Sequence, residues 1–157
     1  MKTWLALTGV AVAALSLLGA CGWKDTVWMD SHNFPSNIWR GTKVVTFSPD
    51  SVSLAEGDGQ KLLLTLRYAA SAPVATFPIV VETEWPQEGI FRADTLSQYL
   101  LPGIERTGNN SKNGTFEVTD TITLPAPATP GWSVSLRPVD ASAEVNGIYS
   151  ITASLIK

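Results

Sequence analysis

Cysteine and histidine each occur once, at Cys21 and His32. A single thiol excludes an intramolecular disulfide and any zinc site built on cysteines. A Ser-His-Asp triad or a histidine-rich metal centre would have to be assembled around His32. Gly22, Asp25, Ser31, Asn33, Pro35, Ser36 and Asn37 interrupt the stretch that holds His32. Such a segment is a poor support for catalysis, which needs groups fixed on rigid elements, so His32 reads as a solvated residue. Basic runs are absent too. The 11 Lys and Arg are outnumbered by 14 Asp and Glu, which argues against nucleic acid or anionic head groups as partners. There is no phosphate-binding glycine motif, no dinucleotide fingerprint, no internal repeat and no heptad. No stretch after residue 20 is apolar for long enough to span a membrane.

What the chain does have begins at its amino-terminal end. Met1-Lys2-Thr3 supplies a short positive start, and Leu5 to Leu18 is apolar apart from Thr8, Gly9 and Ser16. The run falls short of the roughly 20 residues of a comfortable spanning helix and follows the order of an export signal. Leu18-Gly19-Ala20-Cys21 closes it. Small residues at positions 19 and 20 give a peptidase access to the backbone, and the next residue is a thiol. The pattern resembles the lipobox of bacterial lipoproteins. That resemblance implies cleavage before Cys21, S-diacylglycerol and N-acyl groups (palmitate among them) on it, and a membrane anchor. Each buried CH₂ of an acyl chain contributes about 0.8 kcal/mol, so two or more chains hold stably. The rival reading is an ordinary signal peptide with Cys21 as a stray thiol. No aspartate follows Cys21 directly, which points to the outer membrane, on either its periplasmic or its surface face. Lys24-Asp25 is faintly similar to surface-export tags of Bacteroidota lipoproteins.

Residues 1–20 thus form a cleaved signal peptide and 21–41 a lipidated start and tether. Removing residues 1–20 leaves 137, enough for a single core, and residues 42–157 form that one domain. Trp23, Trp28, Phe34 and Trp39 are many aromatics for a spacer. Trp39 and Phe34 are expected to pack on the domain edge, while Trp23 and Trp28 suit the lipid–water boundary. Beyond the tether the pattern is all-β. Residues 43–47 are a short β-branched run. In 61–68, Leu62, Leu64, Leu66 and Tyr68 alternate with Leu63, Thr65 and Arg67. In 75–84, Phe77, Ile79 and Val81 share a side, and Pro78 argues for a sheet edge. Residues 90–101 suit either a strand or a helical turn capped by Asp94. Phe116, Val118, Ile122 and Leu124 mark a clear strand, as do Trp132, Val134 and Leu136. The last strand, 147–156, has Tyr149, Ile151 and Leu155 on one face. Segments 56–60, 102–114 and 125–130 read as turns and loops. Six or seven short strands at this spacing predict a single antiparallel β-sandwich, immunoglobulin-like or related.

Few residues suggest chemistry. Glu82 with Glu84, Glu117 with Asp120, and Glu56 with Asp58 are carboxylate pairs. A calcium site or an acid–base pair at Glu82 and Glu84 is conceivable, but a wet sheet face accounts for them better. Aromatic residues are the better binding candidates. Trp85 precedes the turn Pro86-Gln87-Glu88-Gly89 and reads as exposed enough to stack on a sugar or a partner, whereas Trp132 reads as core. Asp25-Thr26-Val27, Asp50-Ser51-Val52, Asp94-Thr95-Leu96 and Asp120-Thr121-Ile122 resemble the short O-glycosylation sites of Bacteroidota envelope proteins.

The order of these features resembles the gliding-motility lipoprotein GldH family of Bacteroidota. Trp39, Val45-Thr46-Phe47, Leu66-Arg67-Tyr68, Asp94-Thr95-Leu96, Trp132 to Leu136, Gly147-Ile148 and Lys157 stand in comparable places. The likeness spans most of 39–157 as scattered short matches. Ala75-Thr76-Phe77-Pro78 replaces features typical of the middle of that family. The resemblance implies an envelope lipoprotein that supports gliding and type IX secretion, with no catalytic residues to carry over. The expectation is a non-enzymatic outer-membrane lipoprotein, without cofactor or metal, acting through envelope protein partners. The alternative is a surface glycan-binding lipoprotein that uses exposed aromatics such as Trp85. A third reading, a carboxylate-dependent hydrolase, would need two carboxylates about 5–10 Å apart in one cleft.

Overall fold

A computed structural model describes residues 26–49, 60–70, 72, 76–99, 114–124 and 131–156. Its ten strands are β1 (Thr26–Asn33), β2 (Ile38–Arg40), β3 (Val45–Phe47), β4 (Lys61–Ala69), β5 (Thr76–Trp85), β6 (Ile90–Tyr99), β7 (Thr115–Thr123), β8 (Ser133–Pro138), β9 (Glu144–Asn146) and β10 (Ile148–Ile156). They make two four-stranded antiparallel sheets, ordered β1-β10-β4-β7 and β3-β8-β5-β6, and a small β2-β9 pair. The protein is an antiparallel β-sandwich, as its alternating pattern predicts.

Period-two alternation builds the core. Leu62, Leu64, Leu66 and Tyr68 of β4 and Ile151, Ala153 and Leu155 of β10 point inward from the first sheet. Phe77, Ile79, Val81 and Trp85 of β5, with Val134 and Leu136 of β8, point inward from the second. All belong to one hydrophobic cluster, the packing that two half-wet sheets require. Burying each such side chain stabilises by about 1.5–3 kcal/mol before conformational entropy is set against it.

Several expectations need correction. The segment read as a tether is largely folded: β1 runs antiparallel to β10, from Thr26 opposite Ile156 to Asn33 opposite Ser150. The folded unit therefore takes in residues 26–41 as well as 42 onward. The strand was hard to see because β1 is an edge strand and needs few apolar residues; among its eight, Trp28 is the aromatic that reaches the core. The ring of Trp28 lies edge-on to Phe47 at 6.3 Å, so it serves the core and not the lipid–water boundary. Trp39 and Phe34 do pack, stacked at 4.7 Å and both buried. Trp39 Nε1 donates to the Lys43 carbonyl at 3.0 Å.

Pro78 does not mark a sheet edge, because β5 pairs with β6 on one side and β8 on the other. The β8 ladder stops at Ile79, opposite Pro138, so no donor is demanded of Pro78 there. Its carbonyl accepts from Val139 N at 3.1 Å. Residues 90–99 are strand throughout, and no helical turn forms behind Asp94. A register shift between Ile148 and Ser150 places Ile148 in the core and leaves Tyr149 half-buried. The predicted loops at 102–113 and 125–130 and the turn at 56–59 lie outside the described residues.

Candidate functional site on the outer face of the second sheet

The outward side chains of β5, β6, β8 and β3 form ordered rows. Ser133, Glu84 and Phe91 are register partners across three strands, and Thr46, Ser135, Glu82 and Ala93 across four. A third row joins Arg137, Val80 and Thr95. The hydroxyls of Thr46 and Ser135 bond to each other at 2.9 Å, and Arg137 reaches Glu82 at 3.3 Å. Phe91 is 60% exposed, the largest exposure among the big apolar side chains described. The Pro86–Gly89 turn presents it: Gly89 takes φ +64°, a left-handed conformation that favours glycine, and β6 starts directly after. An aromatic ring thus stands at one end of a row whose other members accept hydrogen bonds.

Glu82 and Glu84 lie on this sheet face, as their spacing predicts, and Arg137 pairs with the first. Glu117 and Asp120 do not come together. Glu117 pairs with Arg67 on the outer face of β7, while Asp120 pairs with inward-facing Leu64. Burial raises the Asp120 pKa above the usual carboxylate value. Glu56 and Asp58 lie outside the described residues. Among the described residues, no group of three or more His, Cys, Asp or Glu is placed to hold a metal ion. No described helix is long and apolar enough to cross a membrane.

Trp85 is not the exposed contact expected of it. It is 1% exposed and stacks on Trp132 with ring centroids 6.3 Å apart and planes 19° apart. The reason is parity: Trp85 is in phase with Phe77, Ile79 and Val81, so the last position of β5 faces the core. Trp132, expected in the core, is also 1% exposed. Neither buried Nε1 donor has an acceptor among the described residues. Cys21 lies outside the described residues. His32 is half-buried on β1 instead of solvated in a tether, with its ring edge-on to Phe34 at 5.1 Å. Phe91 was missed because residues 90–101 were ambiguous in period. Once β6 is a strand, its phase relative to Trp85 puts the ring outside.

No family model matches the chain, and no curated protein does. Solved structures do. A carbohydrate-binding module from the glycoside hydrolase family 9 protein Cel9A of Ruminococcus flavefaciens FD-1 aligns with a TM-score of 0.47 and 11% identity. The alignment covers 85% of this chain and 99% of the module. A family-28 carbohydrate-binding module, described as specific for non-crystalline cellulose, aligns at 0.46 and 11% identity, over 82% of this chain and 72% of that one. Dimeric latent PorU from Porphyromonas gingivalis aligns at 0.37 and 13% identity, over 85% of this chain and 13% of PorU.

Proposed function

We propose that this chain is a non-enzymatic, lipid-anchored envelope lipoprotein whose sandwich binds a neutral glycan across the outer face of the β3-β8-β5-β6 sheet. The observation that carries this reading is the exposed Phe91 ring at the end of the Glu84–Ser133 row. A sugar has an apolar C–H face, which suits an aromatic ring, and a rim of hydroxyls, which suits carboxylate and hydroxyl acceptors. Hydrogen bonds to ionised carboxylates are about twice as strong as neutral ones. With Glu82, Glu84 and Arg137, this face carries one net negative charge, which disfavours acidic polymers. A protein partner would favour a larger apolar centre around buried Trp, Tyr or Arg anchors, whereas here one ring stands among polar groups. The names of two structures of similar fold agree with the reading, which rests on the sheet face alone. One ring and a polar row bind weakly, and anchoring many copies through Cys21 at a membrane raises effective affinity by multivalency. The test is a glycan array probed with the full chain in mild detergent. Binding to at least one neutral oligosaccharide is expected, and no binding to any neutral glycan would contradict the proposal.

A second reading keeps the sequence resemblance: an accessory to gliding motility and type IX secretion acting through envelope proteins. Val27 and Met29, 40% and 42% exposed on the outward side of edge strand β1, give a small apolar strip for such a contact. Deleting the gene in its host and complementing with wild type or Cys21→Ala tests it. Normal colony spreading and export in the deletion strain would dismiss this role.

A further inference from the structure

Away from the sheet face, an open pocket of about 290 Å³ is lined by His32, Phe34, Pro35, Ile38, Arg40, Thr42 and Lys43. We propose that it binds one oxyanion, a carboxylate or a phosphate monoester, carried on a compact ring. The chemistry of the walls points there. Arg40 and Lys43 are the charged lining residues, and no lining residue is acidic. Glu144 of β9 accepts from Arg40 Nε at 2.9 Å and so orients the guanidinium. The terminal nitrogens of Arg40, the Lys43 ammonium and the Thr42 hydroxyl have no partner among the described residues. Arg40, Lys43 and Glu144 together keep one net positive charge. A guanidinium fork held by one carboxylate and open on its other side suits a second oxyanion.

The platform is rigid. Phe34 is pinned by stacking on Trp39, and its amide donates to the Tyr149 carbonyl at 2.9 Å. Trp39 Nε1 holds the turn at Lys43. Phe34, Pro35 and Ile38 supply an apolar surface for the ligand's ring. Two further observations mark the place as built for more than stability. Ser36 and Asn37 both take left-handed φ, 60° and 56°, where side chains other than glycine are uncommon and strain concentrates at ligand clamps. Bonds from Asn37 N to the Phe34 carbonyl and from Gly147 N to the Asn37 carbonyl hold that strain in place. His32 Nε2 is buried with no hydrogen-bond partner among the described residues. The size matches a single monosaccharide-like unit, at the low end of ligand pockets. The site is independent of the sheet face, and its cationic walls select the opposite ligand charge.

The test is titration of the isotope-labelled full chain in mild detergent, followed by amide NMR, with D-galacturonate, α-D-glucose 1-phosphate and neutral D-galactose. At least one anion should shift the amides of residues 32–43 saturably, and galactose should not. A response to galacturonate alone assigns a carboxylate ligand, and one to the phosphate alone a phosphate ester. Arg40→Met and Lys43→Met, both at exposed positions, should each weaken binding about tenfold or more with the fold intact. No saturable shift with either anion, an equal response to galactose, or binding unchanged in both variants would overturn the proposal.

Discussion

Glu84 and Phe91 face each other across the β5–β6 ladder on the outside of the sandwich, one step from Trp85, which is buried opposite Ile90. One residue of phase separates a surface aromatic from a buried one. The two rings should therefore behave in opposite ways on mutation. Phe91→Ala should leave stability within about 0.5 kcal/mol, as surface changes do. Trp85→Ala, which opens a cavity beside Trp132, should cost about 3–5 kcal/mol. Urea unfolding of the two variants beside wild type checks both.

Two aspartates should give stability profiles of opposite sign with pH. Asp120 faces inward from β7, and burial raises its folded pKa. The folded state then holds the proton more tightly than the unfolded chain. Its contribution is complete below the ordinary carboxylate pKa and is lost as pH rises through the raised value. Asp140 is the reverse: the Ser142 hydroxyl at 2.7 Å and amide at 2.8 Å lower its pKa. That contribution is present above the ordinary value and lost as pH falls through the lowered one. Asp120→Asn should flatten a decline in urea midpoint above about pH 4, the ordinary carboxylate value. Ser142→Ala should return the Asp140 titration, followed by carboxyl NMR, towards that ordinary value.

Edge strands β6, β7 and β1 carry inward-phase charges, a device that discourages edge-to-edge pairing. On β6, Arg92 pairs with Asp94 at 2.7 Å and donates to the Thr123 carbonyl of β7 at 3.2 Å. On β7 the charge is Asp120, and on β1 it is Asp30, opposite buried Ala153. The double variant Arg92→Val/Asp94→Val should self-associate at concentrations where wild type does not. Sedimentation velocity reads this directly.

The anchor reading makes its own demand. Labelled palmitate fed to cells expressing the chain should label wild type and not Cys21→Ala, and the variant should move from the membrane to the soluble fraction. Membrane retention of an unlabelled variant would remove the lipid anchor from the account.

Much of the sandwich was legible because alternation in 61–68, 115–124 and 132–137 is a direct imprint of one wet and one dry face. The edge strands were the hard part. β1 buries little, so its polar run resembled a tether, and β6 alternates weakly because its inward positions hold Arg92 and Asp94. The outer face of the second sheet inherited that difficulty. The parity that buries Trp85 was present in Phe77, Ile79 and Val81, yet the adjacent Pro86 drew the tryptophan into the turn. Phe91 is identified only once β6 is known to pair with β5. The pocket around Arg40 and Lys43 depends on the β1–β10 and β2–β9 pairings, which no local pattern encodes.

The most direct measurement is calorimetric titration of the preferred neutral oligosaccharide into three full-length proteins: wild type, Phe91→Ala and Arg40→Met. The account predicts that Phe91→Ala weakens binding at least tenfold, about 1.4 kcal/mol, and that Arg40→Met leaves it unchanged. Equal affinity in wild type and Phe91→Ala would contradict the claim that the outer face of the second sheet is the glycan site.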